Sequence, residues 1–126
     1  MSPFLIDTHA ALWFLIDDPQ LSAPAKATMQ SPSHVLLVSA VSTWEIAVKQ
    51  RLGKLEAPDD LPAVLRAQGF DYLSITTEHA WHVTELPRVD HKDPFDRLLV
   101  AQALAEELPI ISADTQLDQY GIHRHW

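Results

Sequence analysis

Four acidic residues lie where a folded chain could bring their carboxylates together around a cation. Asp7 follows the apolar run FLI, and Asp114 comes two residues after PIIS. Glu45 and Asp96 each lie in the first turns of a helical pattern. Carboxylates held close together repel one another, and a hard divalent cation such as Mg²⁺ relieves that repulsion. Because such a cation activates water and stabilises charge on phosphoryl oxygens, these residues indicate phosphodiester hydrolysis.

Each of these acids also has a purely local explanation. Asp7 and Asp114 could cap the helical segments that follow them. Glu45 could pair with Lys49, which lies four residues later on the same helix. Asp96 could simply complement the positive end of its own helix dipole. No acid is persuasive taken singly, so the functional interpretation depends on whether all four share one edge of the fold.

Short apolar runs alternate with helical patterns along the whole chain. The runs are apolar throughout rather than at every second residue, which is typical of a parallel sheet covered on both faces. We therefore predict one domain over residues 1–126, a three-layer α/β/α fold with a four- to five-stranded, mainly parallel sheet. The predicted strands are residues 3–7, 34–39, 71–75 and 108–112, with 122–126 as a possible edge strand.

The order of strands and helices is what would bring the acids together. In a parallel sheet, helices begin at the edge where strands finish, and sites form at the carboxyl ends of strands. Asp93 is predicted to cap a long helix with Pro94 in its first position, which places Asp96 in the first turn. The other predicted helices cover residues 8–16, 39–54, 58–69 and 77–86, one more is capped by Ser22, and a short turn or helix follows in 113–121.

The composition is that of an acidic globular protein. The chain has 9 Lys and Arg against 17 Asp and Glu, a net charge of −8, which argues against a non-specific nucleic-acid coat. There is no cysteine, which excludes disulfides and thiolate metal sites. No run approaches the roughly 20 apolar residues that span a bilayer, and the N-terminus lacks a signal-peptide pattern. We expect a cytoplasmic protein that does not enter the membrane.

Basic residues lie close in sequence to two of the acids. One group follows Glu45 and the other surrounds Asp96, so both could bind phosphates beside an acidic pocket. Equally, they could form ion pairs on a helix surface. Histidines are not required as bases, because a cation itself activates water, and His91 is expected to be a loop residue. The two basic groups are Lys49, Arg51 and Lys54, and Arg88, His91, Lys92 and Arg97.

Four blocks of the sequence resemble one known family. FLIDTHAALWFL, VSAVSTWEIAVKQRLGKL, DPFDRLLVAQAL and IISADTQLDQYG occur in the order and spacing of the PIN-domain nucleases. Within that family, the chain is most similar to the VapC-type toxins of bacterial toxin–antitoxin pairs. The resemblance covers nearly the whole chain, and the four blocks together are far more specific than any one alone.

The resemblance implies a function and a set of residues. It implies an endoribonuclease that depends on Mg²⁺ or Mn²⁺ and hydrolyses RNA with a metal-activated water, forms a homodimer and is silenced by a VapB-type antitoxin. The four family acids match Asp7, Glu45, Asp96 and Asp114. Asp7 and Asp96 are then expected to hold the metal directly, and the other two to act through water or a second ion. The expected substrate contacts are Thr8, Ser42, Lys49 and Arg97.

Two alternatives of another class remain at this point. A phospho-receiver-like signalling module also has acids at strand ends, but it needs adjacent acids after the first strand and a lysine late in the chain. Here Asp7 stands alone, and IISADTQ contains no lysine. A catalytically inactive binding module of the same fold is the other alternative. Replacing Asp7 by asparagine would separate it from a nuclease.

Overall fold

A five-stranded sheet forms the centre of the protein in a computed structural model, which describes residues 2–126. The strand order is β3-β2-β1-β4-β5, and every neighbouring pair is parallel. All five strands therefore end at the same edge of the sheet, and the prediction of a parallel sheet is confirmed. The strands are β1 Ser2–Ile6, β2 His34–Ser39, β3 Phe70–Leu73, β4 Ile110–Ile111 and β5 Arg124–His125.

Six α-helices and two 3₁₀ helices connect these strands in the described part of the chain. Within residues 2–126, none of the helices has both the length and the apolar character needed to cross a bilayer. The α-helices are α1 Thr8–Leu15, α2 Ala23–Gln30, α3 Ala40–Arg51, α4 Leu61–Ala67, α5 Thr77–His82 and α6 Pro94–Glu106, and the 3₁₀ helices are Val83–Glu85 and Thr115–Tyr120.

The sheet is apolar on both faces, which gives the fold its three layers. Leu5 and Ile6 are neighbours in the central strand β1, and both are fully buried. Because successive side chains of a strand point to opposite faces, they enter two separate cores. Ile6 packs with residues of α1, α2 and α4. Leu5 packs with residues of α6 and of the 3₁₀ helix Thr115–Tyr120.

A buried polar contact fixes α6 against the rest of the fold. The Gln102 side chain, on α6, accepts a hydrogen bond from Ser39, which ends β2 and caps α3. Its amide nitrogen donates to the carbonyl oxygen of Ser74 at 3.2 Å. Gln102 is completely buried, so loss of the Ser39 contact would leave its amide oxygen without a partner. The interaction sets the position of α6, whose first turn carries Asp96.

Several element boundaries differ from the predicted ones, among them those of the third strand, the fourth strand and the helix predicted over 77–86. The third strand begins at Phe70 rather than residue 71 and ends before Ser74, because Phe70 is buried opposite Leu36 in β2. The fourth strand is only Ile110–Ile111. The helix predicted over 77–86 changes to a 3₁₀ helix after His82. Terminal turns often tighten in this way, and pattern alone does not detect it.

Ile6→Ala should strongly destabilise the protein. The substitution removes apolar volume from a fully buried position on the central strand, so we expect the free energy of unfolding to fall by about 2–5 kcal/mol. Urea denaturation followed by circular dichroism measures the change. Ile16→Ala is the matched control, because Ile16 is 70% exposed, and its effect should stay within about 0.5 kcal/mol. Equal effects would contradict the assignment of Ile6 to the core.

Candidate metal centre

Asp7 lies at the carboxyl end of the central strand and caps α1. Its Oδ1 accepts a hydrogen bond at 2.7 Å from the backbone N–H of Thr8, the first residue of α1, and so satisfies one of the free donors of that helix. Its Oδ2 accepts one from the Ser112 hydroxyl at 2.6 Å, across 105 residues of sequence. Ser112 directly follows β4, the neighbour of β1, so the parallel pairing of these strands brings the two side chains together. Asp7 is therefore both a helix cap and part of the predicted edge.

Glu45 extends from α3 to the same edge and is joined to Asp7 through Thr8. The Thr8 hydroxyl donates to Glu45 Oε1 at 2.6 Å, while Lys49 Nζ donates to Oε2 at 2.6 Å. Only 4% of Glu45 is exposed, so it is not a solvated surface acid. The Glu45 hydrogen bond raises the pKa of Lys49. The i, i+4 pairing with Lys49 and the position at the sheet edge therefore occur together.

The N-terminus of α6 brings in Asp96. Asp93 caps this helix, with its Oδ1 accepting from the backbone N–H groups of Phe95 at 2.9 Å and Asp96 at 3.2 Å. Pro94 occupies the first helical position, as predicted. Because Asp93 satisfies the free backbone donors, the Asp96 carboxylate makes other contacts. Its Oδ2 lies 3.0 Å from Nε2 of His91.

Asp114 caps the 3₁₀ helix Thr115–Tyr120 and lies beside Asp96. Its Oδ1 accepts from the backbone N–H of Gln116 at 2.9 Å. Asp96, Asp114 and His91 each offer one potential ligand atom, and these three atoms lie within 4.8 Å of one another. The structure thus places the fourth predicted acid next to the third.

Burial and, as a smaller effect, repulsion from neighbouring carboxylates disfavour the charged forms of Asp7 and Asp96. Burial raises the pKa of Asp7, although the hydrogen bonds from Ser112 and Thr8 oppose the change. Burial, followed by repulsion from the charges of Asp7, Asp93 and Glu45, raises the pKa of Asp96 to about 7. Asp7, Glu45 and Asp96 are therefore close enough to interact electrostatically. Their negative charge exceeds what the side chains of Lys49 and His91 offset.

This donor set suits a hard divalent cation. Carboxylate oxygens are the ligands that Mg²⁺ and Mn²⁺ prefer, and one or two of them commonly suffice. Burial raises the pKa of Asp7 and of Asp96, and neighbouring carboxylates add to the effect, so a bound cation would favour the charged forms of both groups. A phosphodiester bound beside that cation could be hydrolysed. The arrangement of the residues can therefore support metal-assisted phosphoryl chemistry.

The four residues predicted to contact the substrate differ in their burial and in their hydrogen-bond partners. Thr8 is buried, and its hydroxyl is used by Glu45. Ser42 is only 1% exposed, and its hydroxyl has no hydrogen-bond partner. That burial does not support direct contact with a substrate. Lys49 remains partly exposed while paired with Glu45, whereas Arg97 donates to the Tyr120 hydroxyl at 3.3 Å.

Three residues near the acids have contacts that the sequence analysis did not predict. His91 lies in a loop, as predicted, but it is buried between Asp96 and Tyr120. Ser112 was not among the predicted site residues, yet its hydroxyl donates to Asp7. The only sequence signal for His91 was its position five residues before Asp96. Nothing local indicated Tyr120.

Comparison with known families agrees with this geometry. The family model for the PIN domain matches residues 4–122. Ribonuclease VapC16 of Mycobacterium tuberculosis is 38% identical over 72 residues, which are 51% of this chain and 51% of that protein. Ribonuclease VapC22 of the same organism is 27% identical over 127 residues, covering 99% and 95% of the two chains. The alignment therefore spans about half the length of the first relative and nearly all of the second.

A solved structure has the same fold. The crystal structure of DNA-bound VapBC from Salmonella typhimurium contains a chain that superposes with a TM-score of 0.69 at 17% identity, covering 99% of this chain and 98% of that one. At this identity the similarity concerns the fold. The family match extends over almost the whole chain and includes the elements that carry all four acids. The chain belongs to the PIN-domain family.

Proposed function

We propose that the protein is a metal-dependent endoribonuclease, the toxin of a VapBC-type pair. The observation that carries the proposal is the cluster of buried carboxylates at the carboxyl edge of the sheet, where two pKa values are raised. Two relatives that bear the name ribonuclease VapC support RNA as the substrate. Because the chain belongs to the PIN-domain family, the phospho-receiver alternative is excluded. An inactive module of the same fold remains to be tested.

The acids would divide the task of holding Mg²⁺ or Mn²⁺. Asp7 and Asp96 would be direct ligands, and Glu45 and Asp114 would act through water or a second ion. The bound cation would supply charge for phosphoryl oxygens and lower the pKa of water. Because the cation itself would activate the water, no histidine needs to act as a general base in this account.

Neighbouring residues hold the acids in position before any ligand arrives. Thr8 contacts Asp7 through its backbone N–H and Glu45 through its hydroxyl. Ser112 holds the second oxygen of Asp7. These short hydrogen bonds fix carboxylates that would otherwise move apart because of their charge. Precise placement of the reacting groups is a large part of catalysis in such a site.

RNA binding requires positive charge beside these acids. The chain has a net charge of −8, so its average field repels phosphates. Lys49 is paired with Glu45 and keeps about a third of its side chain exposed, so its ammonium group could also contact a phosphate. We infer that Lys49 and the bound cation together attract the scissile phosphate, whereas Arg97 serves mainly inside the protein.

A protein partner is part of the proposed function. The solved VapBC structures that share this fold support a VapB-type antitoxin as that partner. We also expect a homodimer that acts in the cytoplasm, where its RNA substrate is present. Trp44 and Trp81 are 55% and 71% exposed. Apolar side chains of this size on the surface are consistent with protein contacts.

Asp7→Asn should abolish RNA cleavage while preserving the fold. Asparagine can still accept from the Thr8 N–H, but it carries no charge for the cation, so activity should fall by more than about 100-fold. Cleavage of total cellular RNA in Mg²⁺ or Mn²⁺, with mapping of the new ends, measures the loss.

Asp118→Asn is the matched control for this experiment. Asp118 lies on the 3₁₀ helix that Asp114 caps, yet it pairs with Arg124 and is about half exposed. Its replacement should leave cleavage within about threefold of wild type. Undiminished cleavage by the Asp7 variant would refute the proposed role of the acid cluster, and absence of cleavage by the wild type on any RNA would favour the inactive module.

Without metal, the protein should lose stability as the pH rises. The pKa of Asp96 is about 7 in the folded chain and about 3.9 in an unfolded one. The folded state therefore binds more protons between these values, and its stability falls from about pH 4 to about pH 7. Asp96→Asn should melt about 5 °C above wild type near pH 8 in a chelator.

Calorimetry with added Mg²⁺ completes this test. Saturating Mg²⁺ should raise the melting temperature of the wild type near pH 8 and leave that of Asp96→Asn unchanged, because binding to the folded state stabilises it. A wild type that is as stable as Asp96→Asn near pH 8 without metal would contradict the proposed repulsion. The Asp118→Asn variant again serves as the control.

Expression of the chain should stop bacterial growth unless its antitoxin is also present. If cleavage of RNA is the toxic activity, arrest should require Asp7 and should end when the open reading frame beside the gene is co-expressed. Colony counts after induction measure this effect. Arrest caused equally by Asp7→Asn would indicate toxicity without catalysis. Growth arrest that persists when each neighbouring open reading frame is co-expressed would argue against a paired antitoxin.

A further inference from the structure

We propose that His91 is a positioning residue for the Asp96 carboxylate, and that Tyr120 and Arg97 fix the tautomer and orientation of the His91 ring. The inference rests on the proposed metal centre, because it concerns how one of the acids is presented to a cation. His91 lies in the loop before α6 and is only 8% exposed. A histidine so deeply buried needs partners for both ring nitrogens.

Both ring nitrogens of His91 have such partners. Nε2 lies 3.0 Å from Asp96 Oδ2, and Nδ1 lies 3.0 Å from the Tyr120 hydroxyl. A carboxylate only accepts hydrogen bonds, so Nε2 carries the proton that is donated to Asp96. In a neutral ring, Nδ1 is then an acceptor, and the Tyr120 hydroxyl donates to it. The two contacts together fix the tautomer and the ring orientation.

Arg97 extends this arrangement to a chain of four residues. Its Nη1 donates to the Tyr120 oxygen at 3.3 Å, and its guanidinium lies 5.8 Å from the centre of the Tyr120 ring. The Tyr120 hydroxyl is also 3.2 Å from the His91 carbonyl oxygen, but Arg97 Nη1 reaches that oxygen at 3.5 Å. The carbonyl therefore has a partner when the hydroxyl turns to the ring.

The three hydrogen bonds that join these four residues then all run in one direction. Arg97 donates to Tyr120, Tyr120 to His91, and His91 to Asp96. Each donor polarises the next, which strengthens the last bond. That last bond falls on the carboxylate that faces repulsion from Asp7 and Glu45. The arrangement holds Oδ2 of Asp96 and leaves its Oδ1 available to a cation.

The same series of hydrogen bonds also links the segment of Asp96 to the segment of Asp114. Tyr120 is the last residue of the 3₁₀ helix Thr115–Tyr120, and Asp114 caps the other end of that helix. His91 and Asp96 belong to the segment at the start of α6. The contact between His91 and Tyr120 therefore joins the two segments that carry these acids, and it accounts for the proximity of Asp96 and Asp114.

Four variants separate positioning from a general structural role. His91→Leu removes both ring nitrogens, whereas His91→Gln retains an N–H donor near the position of Nε2. Tyr120→Phe deletes only the hydroxyl and keeps the buried ring. His123→Leu is the matched control, because His123 is an exposed histidine of the described chain. Circular dichroism establishes that each variant is folded.

The first measurement uses the metal-free protein at about pH 8, above the pKa of about 7 of Asp96, so that the Asp96 carboxyl group is ionised and can only accept hydrogen bonds. Nitrogen-15 NMR of the histidine side chains should show His91 as a neutral ring protonated at Nε2. In Tyr120→Phe the Nδ1 resonance should shift, because its donor is lost, while the other histidines stay unchanged. A His91 ring protonated at Nδ1 would overturn the proposed direction. This measurement decides the hydrogen-bond pattern whether or not any metal binds.

The second measurement is the dissociation constant of Mn²⁺, from the electron paramagnetic resonance of free Mn²⁺. His91→Leu should weaken binding by about 10–100-fold, as loss of a residue behind a ligand does. Tyr120→Phe should weaken it less, His91→Gln should recover most of the loss, and His123→Leu should match the wild type. Equal affinity in His91→Leu and wild type would refute the positioning role.

Two further outcomes are distinguishable. If the wild type binds no Mn²⁺, the proposed function fails, and the nitrogen-15 spectrum still decides the His91 contacts. If pulsed electron paramagnetic resonance of bound Mn²⁺ detects coupling to a directly coordinated imidazole nitrogen that is absent in His91→Leu, His91 is a ligand, and its role as a positioning residue is refuted.

Discussion

Repulsion among carboxylates at one edge of the sheet is the constraint on which the rest of the site depends. Asp7, Glu45 and Asp96 come from three separate elements, and their charges disfavour one another in a buried environment. A fold gains nothing in stability from this arrangement while the cluster lacks a counter-charge. The surrounding hydrogen bonds from Thr8 and Ser112 keep the groups together, so the fold maintains an electrostatically unfavourable site that a cation can relieve.

The parallel sheet supplies the rigidity that this arrangement needs. Asp7 follows the central strand, which is buried on both faces, and Ser112 follows the strand beside it. The buried Gln102 holds α6 against the start of α3, and these two helices carry Asp96 and Glu45. The stability gained from apolar burial on both faces of the sheet therefore offsets the cost of bringing like charges together. The acids lie at the ends of elements, where their side chains can meet without interrupting the cores.

The sequence was informative wherever the physical signal was local. Helix caps such as Asp93, and strand ends such as that before Asp7, follow from neighbouring residues, so the acids could be assigned to one edge. The roles of His91 and Ser112 depend on partners 29 and 105 residues away. No periodicity or turn signal encodes such distances. The strand at Phe70 was misplaced by one residue because burial opposite β2, rather than local pattern, decides its start.

In the proposed function, the negative charge of the site would also link the binding of metal to the binding of RNA. In the absence of a cation, a phosphodiester that approaches Asp7 and Asp96 meets like charge in a partly buried pocket, where screening by salt is weak. Lys49 offsets only part of that charge, because its ammonium group is already paired with Glu45. A cation lowers the repulsion for the substrate, and by linkage a bound phosphate strengthens retention of the cation. Under the proposed function, the acidity of the chain is compatible with RNA cleavage, since the ion rather than an extended basic surface would supply the positive charge that RNA requires.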